Sequence, residues 1–144
     1  MSNVVELDAV TKDFAGVRAV DGVSFAVARG EIFGLIGPNG AGKTTLFKLM
    51  LGLIEPSAGA IRVAGERVGG AGFRNARRRV GYLPENVVLW DNLTGLETLR
   101  FFAALKRADA RGCAAALERV GLADAAQRRV RGYSKGMRQR LGFA

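Results

Sequence analysis

Apolar positions come in short alternating runs over the first part of the chain and at helical spacing over the last part, which predicts strands first and helices afterwards. Val4 to Leu7 and Val20 to Val27 read as strands. In the second, Val23, Phe25 and Val27 point inward against Ser24 and Ala26, and turns are expected at Ala15-Gly16 and Asp21-Gly22. These runs make an antiparallel flank. Glu31 to Ile36 is a short apolar run of the kind buried on both faces of a parallel sheet, and Leu46, Leu49, Met50 and Leu53 then recur at helical spacing. Pro56-Ser57-Ala58-Gly59 ends that region. Ala60 to Ala64 alternates as a half-buried strand closed by Gly65, and Val80 to Leu83 is a further short strand ended by Pro84.

The second half has few β-branched residues and carries explicit helix starts. Thr94-x-x-Glu97 is a capping box, after which Leu96, Leu99, Phe102 and Leu105 line one side of a helix. Ala110 to Val120 predicts a second helix stopped by Gly121, and Ser134 can cap a third that runs from near Lys135 to Ala144. No internal repeat or low-complexity linker is visible.

The junction between the Glu31–Ile36 run and the helix that follows carries the strongest chemical signal. Gly37-Pro38-Asn39-Gly40-Ala41-Gly42-Lys43-Thr44-Thr45 has the form G-x-x-x-x-G-K-[ST] in the order strand, loop, helix. Glycines let backbone N–H groups turn inward around a polyphosphate, and the helix N-terminus adds its positive end. Lys43 supplies a mobile charge for the β- and γ-phosphates, Thr44 a hydroxyl for Mg²⁺, and Thr45 a donor for a phosphate nearer the sugar. A nucleoside triphosphate is the expected ligand. From this chain's own Gly, Lys and Ser/Thr frequencies, the pattern would arise by chance in roughly 1% of such sequences.

Composition narrows the chemistry further. With 144 residues, 49% of them apolar, one domain with a real core is expected. No run approaches the roughly 20 apolar residues of a membrane span, and Glu6 and Asp8 interrupt what a secretory signal would need, so a cytoplasmic location is expected. The chain has one cysteine, Cys113, and no histidine, which excludes an internal disulfide and Ser/His or Cys/His catalysis and makes a zinc site implausible. Cys113 falls in phase with Leu117 and Val120 and is expected in the core. The net charge of +9 includes the runs Arg74, Arg77, Arg78, Arg79 and Arg128, Arg129, Arg131. Only Phe73 and Tyr133 lie at their edges, without the interleaved aromatics of a nucleic-acid surface. A solvated face, or contact with a protein or lipid headgroup, is expected instead, and no nucleic acid.

Two further segments complete a family resemblance. Gly81-Tyr82-Leu83-Pro84-Glu85 resembles the Q-loop of the ATP-binding subunits of ABC (ATP-binding cassette) transporters, with Glu85 where many members carry Gln. Tyr133-Ser134-Lys135-Gly136-Met137, followed by Arg138-Gln139-Arg140-Leu141, is similar to the signature usually written LSGGQ, departing from it at Tyr133, Lys135 and Met137. With the phosphate loop, the three landmarks occur in family order over nearly the whole chain. The resemblance implies an α/β P-loop NTPase fold of ABC type with an antiparallel β flank and a helical subdomain. Residues 1–85 would form the nucleotide-binding core with its flank, and residues 86–144 the helical subdomain and signature motif.

The same resemblance implies roles. Phe14 matches the aromatic that stacks on adenine, core packing being its alternative, and Glu85 with Thr44 would hold Mg²⁺ beside ATP. Ser134, Lys135, Gly136 and Met137 would meet the γ-phosphate held by a second ATP-binding subunit in a head-to-tail dimer. Integral membrane subunits would be the other partners, placing the protein peripherally on the inner face of the cell membrane. Trp90, in the Val87–Thr94 stretch, suits either such a docking surface or packing within its own subdomain. The family's catalytic Glu, Mg²⁺-linked Asp and switch His have no counterpart before Ala144, so the chain reads as C-terminally truncated, with ATP hydrolysis expected of the complete protein. A soluble ABC protein or a non-hydrolysing binding fragment remains the alternative. Within the family, Gly81–Asn86 and Tyr133–Arg140 look most like the ATPase of the nitrous-oxide reductase copper-maturation transporter, and drug exporters have similar ATPases.

Overall fold

The computed structural model describes residues 2–144, which divide into two compact units, one ending at Gly81 and the other running from Tyr82 to Ala144. In the first unit, β1 (Asn3–Phe14) and β2 (Val17–Ala28) form a long hairpin, and β3 (Ala58–Val63) and β4 (Glu66–Arg67) complete an antiparallel sheet ordered β2-β1-β3-β4. Both strands of the hairpin outrun the segments predicted from alternation. Ala15 and Gly16 close it with φ of 44° and 89°, the positive pair that a two-residue hairpin turn requires.

Asp21-Gly22 makes no turn between strands. It is a bulge inside β2, with Gly22 at φ 57° donating its N–H to Thr11 Oγ1 at 3.0 Å. A second bulge at Ala9, φ 44°, sits in β1, and its N–H donates to Ser24 Oγ at 2.8 Å. One extra residue on each strand cancels the other, so Leu7 pairs with Phe25 and Lys12 with Val20 in the same frame. Gly59 of β3, φ 83°, lies against the Ala9 bulge where a Cβ would meet the Asp8 and Ala9 carbonyls, so no other residue fits there.

The inner sheet face packs on α1 (Lys43–Met50) and α2 (Phe73–Arg77) around Leu7, Val10, Val20, Leu49, Ile61 and Phe73. Glu31–Ile36 forms no strand. It lies outside any strand or helix, with Ile32 100% and Ile36 95% exposed, because no strand lies beside it among the described residues to take its hydrogen bonds. Val80 to Leu83 is likewise outside any strand, with Val80, Tyr82 and Leu83 exposed. Leu53 is exposed and outside α1, which stops at Met50 as Gly52 turns the chain at φ 63°.

The second unit is helical: α3 (Gly95–Lys106), α4 (Cys113–Arg119) and α5 (Lys135–Phe143), joined by 3-10 turns. The predicted helix from Ala110 opens with one such turn, Ala110–Gly112, before α4 begins. Leu117, Leu122, Val130, Tyr133 and Leu141 form its core, flanked by Leu96 and Leu99, while Leu105 of the predicted stripe is exposed. Cys113 is buried. The capping box is complete: Glu97 N–H donates to Thr94 Oγ1 at 3.2 Å and Thr94 N–H to Glu97 Oε2 at 2.8 Å. Thr98, fully buried, donates its hydroxyl to the Thr94 carbonyl at 2.8 Å.

The Thr94 N–H holds the Glu97 carboxyl below the usual carboxylate range. Its contribution is therefore present above the unfolded value of about 4.3 and disappears as pH falls through the lower folded one. Thr94→Ala is expected to cost about 1 kcal/mol in denaturant unfolding at neutral pH; because alanine keeps the backbone N–H that Glu97 accepts from, most of the acid-side loss is expected in parent and variant alike.

Candidate functional site: the phosphate loop and the capped signature helix

The phosphate loop lies between Glu31–Ile36 and α1. Gly42 is the hinge of this geometry. It sits at φ 80° as the residue preceding the helix, and a Cβ there would collide with the Ala19 carbonyl of β2. Leu46 N–H donates to the Gly42 carbonyl at 2.9 Å, starting the helix, and Ala41 N–H to Pro38 at 3.3 Å, closing the loop. No side chain caps α1 and no acid lies in its first turn. Its first N–H groups and dipole are thus left for an anion.

Lys43 folds back over the loop, Nζ donating to the Gly37 and Pro38 carbonyls, each at 2.6 Å. Two carbonyls thus hold the ammonium against the loop. Gly37, Pro38, Asn39, Gly40, Ala41 and Thr44 are exposed and Thr45 is half-buried, so the loop presents backbone and hydroxyls to solvent. Thr44 offers a hard oxygen of the kind Mg²⁺ takes, and so does the exposed Glu85 carboxylate. No group of three or more Asp, Glu or Cys capable of holding a metal occurs among the described residues.

Phe14 ends β1 at the hairpin tip, paired with Val17, on the same hairpin whose Ala19 carbonyl meets Gly42. It is 45% exposed, with Lys12 Nζ 5.1 Å from its ring centroid over one face of the ring. Lys12 is itself pinned by a 2.7 Å bond to the Glu55 carbonyl.

The other predicted site residues lie in the second unit. Ser134 Oγ accepts from Met137 N–H at 3.3 Å and caps α5, with Lys135 and Gly136 exposed in the first turn and no acid among them. This is a second helix end suited to an anion, with Lys135 adding positive charge. Tyr133, where the motif's Leu is replaced, is buried; its hydroxyl donates to the Ala125 carbonyl at 2.7 Å, and burial raises its pKa. The phenol fills the space in front of Gly95, where a Cβ would strike it. Arg128 Nη2 donates to the Gly132 carbonyl at 2.8 Å, a second tie on the turn before Ser134. Arg138 pairs with Asp91 at 2.6 Å, and Gln139 Nε2 donates to the Glu85 carbonyl. These four supporting contacts were not predicted: their partners are 4 to 54 residues away, and only the folded chain brings them together. Trp90 stacks edge-on to Phe101 at 4.7 Å and touches Phe102 at 5.9 Å, so it packs within its own unit while staying 48% exposed.

A family model described as ABC transporter matches residues 20–144, and the chain belongs to that family. It is 39% identical over its whole length to ABC transporter ATP-binding protein YhcH of Bacillus subtilis, of which it spans 47%. It is 40% identical over 97% of its length to the daunorubicin resistance ATP-binding protein DrrA3 of Streptomyces coeruleorubidus, of which it spans 45%. Among solved structures, an ATP binding subunit of an ABC transporter superposes with TM-score 0.83 at 34% identity, covering 96% of this chain and 59% of that one. CbiO1 of Clostridium perfringens, part of the cbiONQ complex, matches with TM-score 0.84 at 21% identity over 99% of this chain and 60% of its own, a likeness of fold. The chain thus has the ABC-type α/β fold and spans less than half the length of the curated relatives it matches. Among the described residues no helix is long and apolar enough to cross a membrane.

Lys43→Ala is expected to weaken triphosphate binding by about 1.5–3 kcal/mol, since a charge-assisted contact is lost without replacement. Isothermal titration with ATP measures it. Phe14→Ala is expected to lose about 1 kcal/mol for ATP and almost nothing for inorganic triphosphate, because the ring contacts base and not phosphate. Equal losses for both ligands would assign Phe14 to the fold rather than to adenine.

Proposed function

We propose that this chain is the nucleotide-binding part of the ATP-binding subunit of an ABC transporter, with residues 1–85 cradling ATP and residues 86–144 carrying the contact to a second subunit. The observation that carries the proposal is the presence in one chain of two helix ends suited to anions: the uncapped α1 behind the phosphate loop and the Ser134-capped α5. One holds a triphosphate in its own subunit; the other has the chemistry to meet the γ-phosphate of a partner.

In this reading the loop N–H groups from Gly37 to Thr45 hold the phosphates, and Lys43 exchanges its two carbonyl partners for β- and γ-oxygens. Phe14 stacks on adenine. Thr44 would hold Mg²⁺, which when bound offsets charge on the phosphate oxygens, and Glu85 keeps the Mg²⁺ role that the family resemblance implies. Ser134, Lys135, Gly136 and Met137 complete the site of the opposite subunit in a head-to-tail dimer. No carboxylate in residues 1–144 matches the family's catalytic Glu, so the proposal assigns these residues binding and assigns hydrolysis to the complete protein.

Membrane subunits are the proposed second partner, which makes the protein peripheral on the cytoplasmic face. An open cavity of about 500 Å³ in the second unit supports this, lined by Leu83, Val87, Val88, Phe102 and Cys113 among others, as does the neighbouring half-exposed Trp90. The finer reading, service to a copper-enzyme maturation transporter, rests on the Gly81–Asn86 and Tyr133–Arg140 resemblance alone. Similarity to the daunorubicin-resistance protein supports drug export as the competing cargo class.

Ser134→Arg tests the proposal. It removes the cap, at about 1 kcal/mol, and fills the helix N-terminus with a cation. ATP titration of the monomer is expected to match the parent, while ATP-dependent dimerisation by sedimentation and turnover of the complete protein are expected to fail. Normal dimerisation and turnover would reduce Tyr133–Met137 to a surface helix start.

A further inference from the structure

Phe14 is the last residue of β1, 45% exposed at the hairpin tip, and pairing with Val17 fixes its backbone without fixing its ring. An exposed phenyl group left to itself changes rotamer within nanoseconds, and a ligand that stacks on it has to stop that motion. Lys12, two residues earlier on the same strand, meets the ring with Nζ 5.1 Å from the centroid. The ammonium is itself held, donating to the Glu55 carbonyl at 2.7 Å. Glu55 belongs to the loop between α1 and β3, and that loop is tied to β1 twice more. Ser57 N–H donates to the Thr11 carbonyl at 2.8 Å, and Asp13 N–H donates to Ser57 Oγ at 3.0 Å. None of the ion pairs among the described residues includes Lys12, so the charge of this half-buried side chain is directed at a carbonyl and a phenyl face.

We infer that Lys12 is a positioning residue for the nucleobase: anchored on the Glu55 carbonyl, it holds one face of the Phe14 ring and presents the other to the base. The inference rests on the proposed role of Phe14 in stacking on adenine. The loop that carries Glu55 is the one into which α1 leads, and α1 is the helix behind the phosphate loop. The anchor therefore refers the ring to the same element that receives the phosphates. Base and phosphate positions are set relative to each other before the ligand arrives, which lowers the ordering cost of binding.

The test is a double-mutant cycle on Lys12 and Phe14 in the complete protein, read by equilibrium titration with ADP and with inorganic diphosphate, neither of which carries a γ-phosphate to be hydrolysed. Lys12→Met keeps the apolar stem and removes the charge. It is expected to weaken ADP about threefold and to leave diphosphate unchanged. Phe14→Ala is expected to weaken ADP about fivefold. Adding Lys12→Met to Phe14→Ala is expected to change nothing further, whereas independent effects would multiply to about fifteenfold. If Lys12→Met does not fold, Lys12→Gln, which removes the charge and keeps an N–H donor, takes its place with the same expectations. Parent-like ADP affinity in the Lys12 variant overturns the inference. So does an equal loss for diphosphate, which would make Lys12 a phosphate contact or a support of the fold, and so does a fifteenfold loss in the double variant, which would make it act without the ring. Phe14→Ala separates the two levels. If it weakens ADP selectively while Lys12→Met does not, only the role of Lys12 is wrong; if it leaves ADP unchanged or weakens both ligands equally, the adenine role of Phe14 itself fails.

Discussion

The close approach of Gly42 to the Ala19 carbonyl is the constraint on which the nucleotide half depends. Only a residue without a Cβ, at positive φ, lets the chain leave the loop and enter α1 while touching β2. That contact fixes where the helix N-terminus points relative to the hairpin, and the hairpin tip carries Phe14. Between Leu7 and Lys12 the hairpin recovers its frame because two bulges cancel, one of them accommodated by Gly59. Glycine at two unrelated positions, Gly42 and Gly59, therefore decides one piece of geometry: an anion-receptive helix end beside the hairpin that carries an aromatic side chain.

The second unit solves a similar problem by different means. No glycine hinge presents the α5 N-terminus. A buried phenol, an arginine on a carbonyl, an ion pair and an amide on a carbonyl hold the turn and the helix. Tyr133 is the most costly of these to replace, since its hydroxyl is buried and bonded and its ring fills the space that Gly95 leaves open. The departure of Tyr133 from the family's usual Leu is thus absorbed by a matching small residue on α3. Lys135 and Met137, the other departures, sit in the first turn without disturbing the cap.

What the sequence by itself determined is local chemistry. The phosphate-loop pattern, the Thr94 capping box, the Ser134 cap and the β-hairpin turn at Ala15-Gly16 depend on residues a few positions apart, and each is formed where the spacing requires. Burial of Cys113 followed from helical phase for the same reason. Tertiary structure alone decided what depends on distant neighbours. Glu31–Ile36 and Val80–Leu83 have strand composition yet form no strand, because a β-strand exists only through hydrogen bonds to another. Asp21-Gly22 has turn composition and became a bulge, because the paired strand continued past it. The ties that hold Ser134, from Ala125, Asp91 and Glu85, join residues 8 to 54 positions apart, a separation at which side-chain type carries no record of its partner.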